Sequence, residues 1–265
     1  MDALTVTCAV LNIVLGIVYT SYGTMTAVEM WRNRRTMGFS HFGIAWIAMA
    51  FTCGPHHFVH GIHLGFEGRQ AGFLDLLVVA IGFPAGVIWF ALRLEAFIGG
   101  RGDRAITGTP LWVAALPTLA GVYLTAIVAA LLDLGGHNLT VNAEVWANVA
   151  LVVLYMGVGY YCARTQIANH RAMGGWSLSG LALTVVFPTC AMMHGVYAYY
   201  QATGFYDADV HNHWVDLLAV PAAMYFLWVV RALSRGAFHD WNGAPGRARA
   251  GGVAGSPAPD PAAAG

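Results

Sequence analysis

The chain alternates long apolar runs with short polar segments. Seven apolar runs can be drawn, over residues 4–30, 40–63, 73–98, 109–133, 143–166, 176–201 and 213–234. Each run is long enough to form a helix across about 30 Å of hydrocarbon. The pattern therefore predicts an all-α, polytopic membrane protein with seven transmembrane helices.

The composition supports this class. The chain is 58% hydrophobic and only 10% charged, whereas soluble domains carry about 25% charged residues. The formal net charge is zero, so we expect the lipid bilayer as its environment and no nucleic-acid partner. The sequence contains no lysine, which excludes a retinal Schiff base as the cofactor link.

Arginine residues predict the orientation in the membrane. All but Arg69 fall on one side of the seven predicted spans, among them Arg32, Arg34, Arg35, Arg101, Arg104, Arg164, Arg171, Arg231 and Arg235. Because cytoplasmic loops carry the excess of arginine, we expect the N-terminus outside and the C-terminus in the cytoplasm of a cell-membrane protein. Residues 241–265 are rich in glycine, alanine and proline, which predicts a disordered cytoplasmic tail.

The first three and last three runs match each other in one register. Residues 29–57 align with 165–194, and the matched pairs include Asn33 with Asn169, Arg35 with Arg171, Cys53 with Cys190, His57 with His194, Asp75 with Asp216, Asn12 with Asn148 and Tyr19 with Tyr155. The match predicts two parallel three-helix repeats, at 1–107 and 141–240, joined by a linker helix at 108–140.

This three-plus-one-plus-three plan resembles the SWEET, or PQ-loop, sugar-transporter family. The stretch TQIANHRAMGGWSLSG, at 165–180, is close to the loop pattern of that family, with Thr165-Gln166 where Pro-Gln is usual. The resemblance implies the seven-helix fold and, as an alternative function, transport of a small solute.

A histidine-rich stretch, TCGPHHFVHGIH at 52–63, ends the second run. Cys53 and His57 are four residues apart and share one helix face, as do Cys190 and His194. If the repeats bring those faces together, two thiolates and two imidazoles converge near the outer leaflet. We expect a transition-metal site there, holding zinc or copper. The candidate ligands are His57, His194, Asp75, Asp216, Cys53, Cys190, His56, His60 and His213.

Three alternatives stay open at this point. Haem ligated by His57 and His194 is one possible cofactor. The stretch VHNHWVDLL at 210–218 resembles the last-span histidine motif of the CREST seven-span hydrolases, which implies a zinc-bound water as nucleophile and Asp75 as a candidate base. Pairing of histidine with aspartate that only holds the helices together is the third. Whether the protein is an enzyme is therefore undecided.

Overall fold

The computed structural model describes residues 2–109, 111–206, 214–236 and 241–242. It is all-helical apart from four two-residue strands, as the apolar runs predict. In chain order the elements are α1 (Ala3–Asn33), β1 (Phe39–Ser40), α2 (His41–Phe66), α3 (Phe73–Phe97), β2 (Ala105–Ile106), α4 (Leu111–Ala114), α5 (Leu116–Leu134), α6 (Ala143–Asn169), β3 (Trp176–Ser177), α7 (Leu178–Ala202), α8 (Trp214–Ser234) and β4 (Trp241–Asn242).

Six of the long helices in the described part of the chain are long and apolar enough to cross a membrane. This is the composition of an integral membrane protein. The seventh long helix, α2, is not among them, although its 26 residues give it sufficient length. Its sequence carries five histidines, which lower its hydropathy: His41, His56, His57, His60 and His63.

The helices pack as two groups that meet along two contacts. In the first group, α1 lies against α2 and α3; in the second, α6 lies against α7 and α8. Between the groups, α3 packs on α7 and α2 packs on α8. Helix α5 packs lightly, on α7 and on the adjacent α4, and Tyr123 is its one buried residue. Leu119, Ala126 and Ile127 are half-buried against the core, and much of the remaining apolar surface of α5 faces outward, where a bilayer would cover it.

Small residues let α1 and α2 approach closely. A Cβ added to Gly16 would lie 2.9 Å from the Cα of Phe58, and one added to Gly54 would lie 2.9 Å from the backbone nitrogen of Thr20. Both distances are shorter than side chains tolerate. Glycine at these positions therefore allows backbone-to-backbone packing, the mode by which helices associate in lipid.

The short strands lie at one end of the bundle, which we call the strand end. There β1 pairs antiparallel with β4, through Phe39 opposite Asn242, and β2 pairs with β3, through Ala105 opposite Ser177. Strand β1 precedes α2 of the first group and pairs with β4, which follows α8 of the second group. Strand β3 precedes α7 of the second group and pairs with β2, which follows α3 of the first group. The first two residues of the predicted tail, Trp241 and Asn242, are thus paired, and 243–265 lie outside the described residues.

The opposite end carries the α2–α3 connection at 67–72 and residues 203–206 after α7; we call it the loop end. The two halves of the bundle interior differ in chemistry. The half toward the strand end is filled by aromatic rings, with Trp46 in edge contact with Trp89 at 4.0 Å and with Phe226 at 5.8 Å between centroids. Toward the loop end the buried side chains include His56, His57, His60, Asp75, His194 and Asp216.

A polar network around Asp103 ties the two helix groups together at the strand end. One Asp103 oxygen accepts a hydrogen bond from the Ser177 hydroxyl at 2.6 Å, and the other accepts from the Ser179 N–H at 2.9 Å. Ser177 also caps α7 by accepting the Gly180 N–H at 3.0 Å. Partial burial acts to raise the pKa of Asp103, but these hydrogen bonds outweigh it and hold that pKa below its ordinary value.

We expect Asp103→Ala to destabilise the protein by about 1 kcal/mol at neutral pH, because it removes bonds to a charged acceptor at a half-exposed site. A lowered folded-state pKa stabilises the fold above the ordinary value of about 3.9, and that contribution is lost as the pH falls through the folded-state value. Thermal unfolding in detergent at several pH values measures both effects. The difference in unfolding midpoint between the wild type and Asp103→Ala should become smaller below about pH 4.

Asp2→Asn is the control, since asparagine caps a helix N-terminus as well as aspartate does and the side-chain bonds of Asp2 to Thr5, including the N–H at 2.7 Å, stay within the first turn of α1. Its unfolding midpoint should stay at the wild-type value. An Asp103→Ala protein as stable as wild type at neutral pH would show that the network contributes nothing.

Candidate metal centre

Three side chains from two helices converge near the middle of the bundle. Cys53 and His57 come from α2, and Cys190 comes from α7, so both helix groups contribute. One ligand atom from each of the three lies within 4.8 Å of the other two. Cys53 and His57 reach the same point because they are one helical turn apart. Among the described residues this is the one group of three or more candidate ligands so arranged, and it can hold a metal ion.

A small cavity adjoins the two thiols. Its walls include Cys53, Cys190, Tyr19 and Tyr155, with Trp46 closing it toward the strand end. It offers about 10 Å³ to the centre of a water-sized sphere, which is room for about one water or one ion. The Tyr155 hydroxyl is buried and has no hydrogen-bond partner within the described ranges, so it can donate to an atom placed there.

Asn12 determines which nitrogen of His57 is available. The Asn12 amide nitrogen donates to the Cys8 carbonyl at 2.9 Å, so the Asn12 oxygen is the atom that faces Nδ1 of His57 at 2.8 Å. An amide oxygen only accepts, and Nδ1 must therefore carry the proton. The lone pair of neutral His57 is then on Nε2, the state in which histidine binds metals.

The second helix group repeats this arrangement. The Asn148 amide nitrogen donates to the Glu144 carbonyl at 3.0 Å, and its oxygen faces Nδ1 of His194 at 2.6 Å. A tyrosine lies beside each ring: Tyr19 is 5.5 Å from His57 and Tyr155 is 5.4 Å from His194 between centroids, both at 58°. His194 thus also presents Nε2 with a lone pair.

Asp216 binds His56, a third buried histidine of this region. One of its oxygens lies 2.7 Å from Nδ1 of His56, and the other accepts from the Asn148 amide at 3.0 Å. Nδ1 of His194 is 4.0 Å from the first oxygen. Asp216 is 1% exposed, and a buried carboxylate requires such donors. It therefore orients His56 and supports the asparagine that holds His194.

Asp75 has a different role from its sequence counterpart. One oxygen of Asp75 accepts both the Gly72 N–H at 2.7 Å and the Tyr206 hydroxyl at 2.5 Å. The other oxygen is buried and unpartnered within the part of the chain that the structure describes. Asp75 thus caps α3 at the loop end and keeps one oxygen available for a cation.

The structure describes eight of the nine predicted ligands, and these eight fall into three settings. Cys53, His57 and Cys190 meet, while His194 lies outside that group and packs against His56, with ring centroids 5.1 Å apart. His56, His60, Asp75 and Asp216 are buried toward the loop end, and His213 lies outside the described residues. The cavity beside the two thiols is lined by neither His57 nor His194, so it gives no support to a haem held between these histidines.

The residues that orient the histidines were not among the predicted ligands. Asn12 aligns with Asn148 in the internal sequence match, as Tyr19 does with Tyr155, but the match alone predicts no role for these residues. The available signal was an asparagine inside each of two apolar spans, because a buried amide needs specific partners. Tyr206, the partner of Asp75, had no such signal.

Comparison with known proteins finds no matching family model, no similar curated protein and no similar solved structure.

We expect Asn12→Leu to destabilise the protein by about 1–3 kcal/mol, because it leaves the Nδ1–H of His57 buried without an acceptor. Asn148→Leu should destabilise it more, since Asn148 also donates to Asp216. Thermal unfolding in detergent measures both. Thr24→Val serves as control, because its exposed hydroxyl bonds only the Thr20 carbonyl of its own helix. Equal stability of all three variants would contradict the conclusion that Asn12 and Asn148 accept hydrogen bonds from buried histidines.

Proposed function

We propose that the protein binds one divalent transition metal, with zinc as the best fit, through Cys53, Cys190 and His57 in the interior of a membrane bundle. The observation that supports this most directly is the convergence of the three ligand atoms within 4.8 Å. Zinc bonds of about 2.3 Å to sulfur and about 2.0 Å to nitrogen suit such a set.

Charge favours zinc over copper(I). Two thiolates and Zn²⁺ sum to zero, whereas two thiolates and Cu⁺ leave one negative charge in an apolar interior. A net charge buried in a low-dielectric medium is costly. The aromatic rings of Trp46 and Phe187 line the cavity and supply no compensating cation.

Three protein ligands leave one position of a tetrahedral zinc ion for a water or another small ligand. The hydroxyl of Tyr155 is in place to bond it, and the side chain of Tyr19 is in hydrogen-bonding contact with Cys190. A bound thiolate is stabilised when it accepts such a bond. The tyrosines thus support the site from both helix groups.

The wider architecture belongs to the same proposal. We infer that α1–α3 and α6–α8 are duplicated units related by an axis along the membrane normal, that α5 links them, and that α2 completes seven spans. Matched hydrogen bonds at His57 and His194 support the duplication, and the arginine distribution supports an outside N-terminus and a cytoplasmic C-terminus.

Transport of a small solute is the second candidate function. The two helix groups meet along α2 with α8 and α3 with α7, and the centre lies on that boundary. Secondary transporters place their sites at such repeat interfaces and move one repeat against the other. On this alternative, the metal or a small solute would cross the membrane when the groups move.

Element analysis of the purified protein tests the metal proposal. Wild type should carry close to one zinc per chain after exposure to Zn²⁺ and removal of the excess. Cys53→Ser, Cys190→Ser and His57→Gln should each lower the affinity about tenfold or more, because each removes a direct ligand.

Cys162→Ser is the matched control, since Cys162 is a partly buried cysteine of α6 that lies outside the group of three ligands. It should keep the full zinc content. Wild-type protein that takes up no zinc or other divalent metal would refute the proposal, as would equal retention by all four variants.

A further inference from the structure

Candidate ligands continue from the centre toward the loop end. His56 and His60 lie one turn apart on α2, and both are buried, at 3% and 0% exposure. They face the same side, since the ring of Tyr197 is 5.0 Å from His56 and 4.9 Å from His60 between centroids. Buried ionisable groups are rare inside a membrane bundle and mark pathways.

Asp75 lies at the outer end of this series. Tyr206 connects Asp75 with His60. Its hydroxyl donates to Asp75 at 2.5 Å, and its ring centroid lies 6.3 Å from that of His60. The second oxygen of Asp75 has no partner in the described ranges although it is buried. When Asp75 is ionised, a carboxylate oxygen left over at this position attracts a cation that comes from the water.

His63 is excluded from the series by its own contacts. Its Nδ1 lies 2.8 Å from the Arg69 guanidinium, and its Nε2 lies 3.8 Å from Glu67. Because arginine only donates, Nδ1 of His63 is the acceptor and its lone pair is occupied. His63 is therefore a natural control for His60 on the same helix.

The strand end, by comparison, offers a metal ion no series of ligands. Below the cavity, Trp46 contacts Trp89, Phe187 and Phe226, with centroids 4.0, 6.1 and 5.8 Å apart. These four rings offer no oxygen, thiol or imidazole that could replace water around a metal ion, and Tyr22, which packs on Trp46 and Trp89 at 4.7 and 4.3 Å between centroids, adds a single phenol oxygen. Dehydrating a divalent ion without such ligands is prohibitive.

We infer that the metal reaches the centre from the loop end only, passing from Asp75 to His60, then to His56 beside Asp216, and then to Cys53, Cys190 and His57. This inference rests on the proposed metal site and adds its route of access. Neither Asp75 nor His60 belongs to a group of three ligands in the described structure. Each stop therefore holds the ion with few ligands, which suits transfer better than storage.

The kinetic test is Zn²⁺ binding and release by detergent-solubilised protein, followed with a fluorescent chelator. His60→Phe keeps a ring at the site but removes both nitrogens. A residue that the metal only passes affects the energy barrier to binding and release, and it does not affect the energy of the bound metal. Association and dissociation should therefore both slow about tenfold, with an unchanged dissociation constant and one zinc per chain.

His63→Gln should keep wild-type rates, and Asp75→Asn should slow association without lowering the zinc content. Wild-type rates in His60→Phe would overturn the inference. Loss of equilibrium binding in His60→Phe would also overturn it, because His60 would then be a ligand of the centre. Absence of zinc from every protein, wild type included, would instead refute the metal site itself.

A second measurement needs no variant at the site. Wild-type protein in liposomes receives Zn²⁺ from outside only, and the fraction that loads quickly is measured. The fraction with the loop end outward is measured separately, by labelling Gln70→Cys protein with a membrane-impermeant maleimide. Gln70 is an exposed residue of the α2–α3 connection. The two fractions should agree, and rapid loading of all the protein would overturn one-sided access.

Discussion

The hydrogen bond between an asparagine and a histidine within each helix group is the constraint on which the site depends. Asn12 binds His57, and Asn148 binds His194. A membrane interior supplies no water, so a buried imidazole must find a partner inside the protein. That partner also sets the tautomer and ring direction. The same bond thus satisfies a buried imidazole and leaves its Nε2 with a lone pair that can bind a metal.

The two groups are alike without being equivalent. His57 joins the cysteines, whereas its counterpart His194 packs on His56 instead. Asp216 sits among the histidines, while Asp75 caps a helix beside Tyr206. The boundary between the two helix groups brings candidate ligands from both to one place, and these differences make that place asymmetric.

The apolar runs predicted the long helices closely, because hydrophobic length is a local property of the sequence. Pairing of Cys53 with Cys190 was predictable from the internal match. Three features were not. The position of His194 outside the group of three ligands depends on side-chain packing across helices. Tyr206 bonds Asp75 from 131 residues away in the chain. The strands are two residues long and leave no periodic pattern in the sequence. Each depends on tertiary placement that a single sequence does not encode locally.

The crossed strand pairs have a consequence for biosynthesis. Phe39–Ser40 finds its partner only in Trp241–Asn242, some two hundred residues later in the chain. The ribosome must therefore deliver Trp241 and Asn242, which follow the last helix, before the first helix group can close at the strand end. That end of the first group is thus completed late in synthesis.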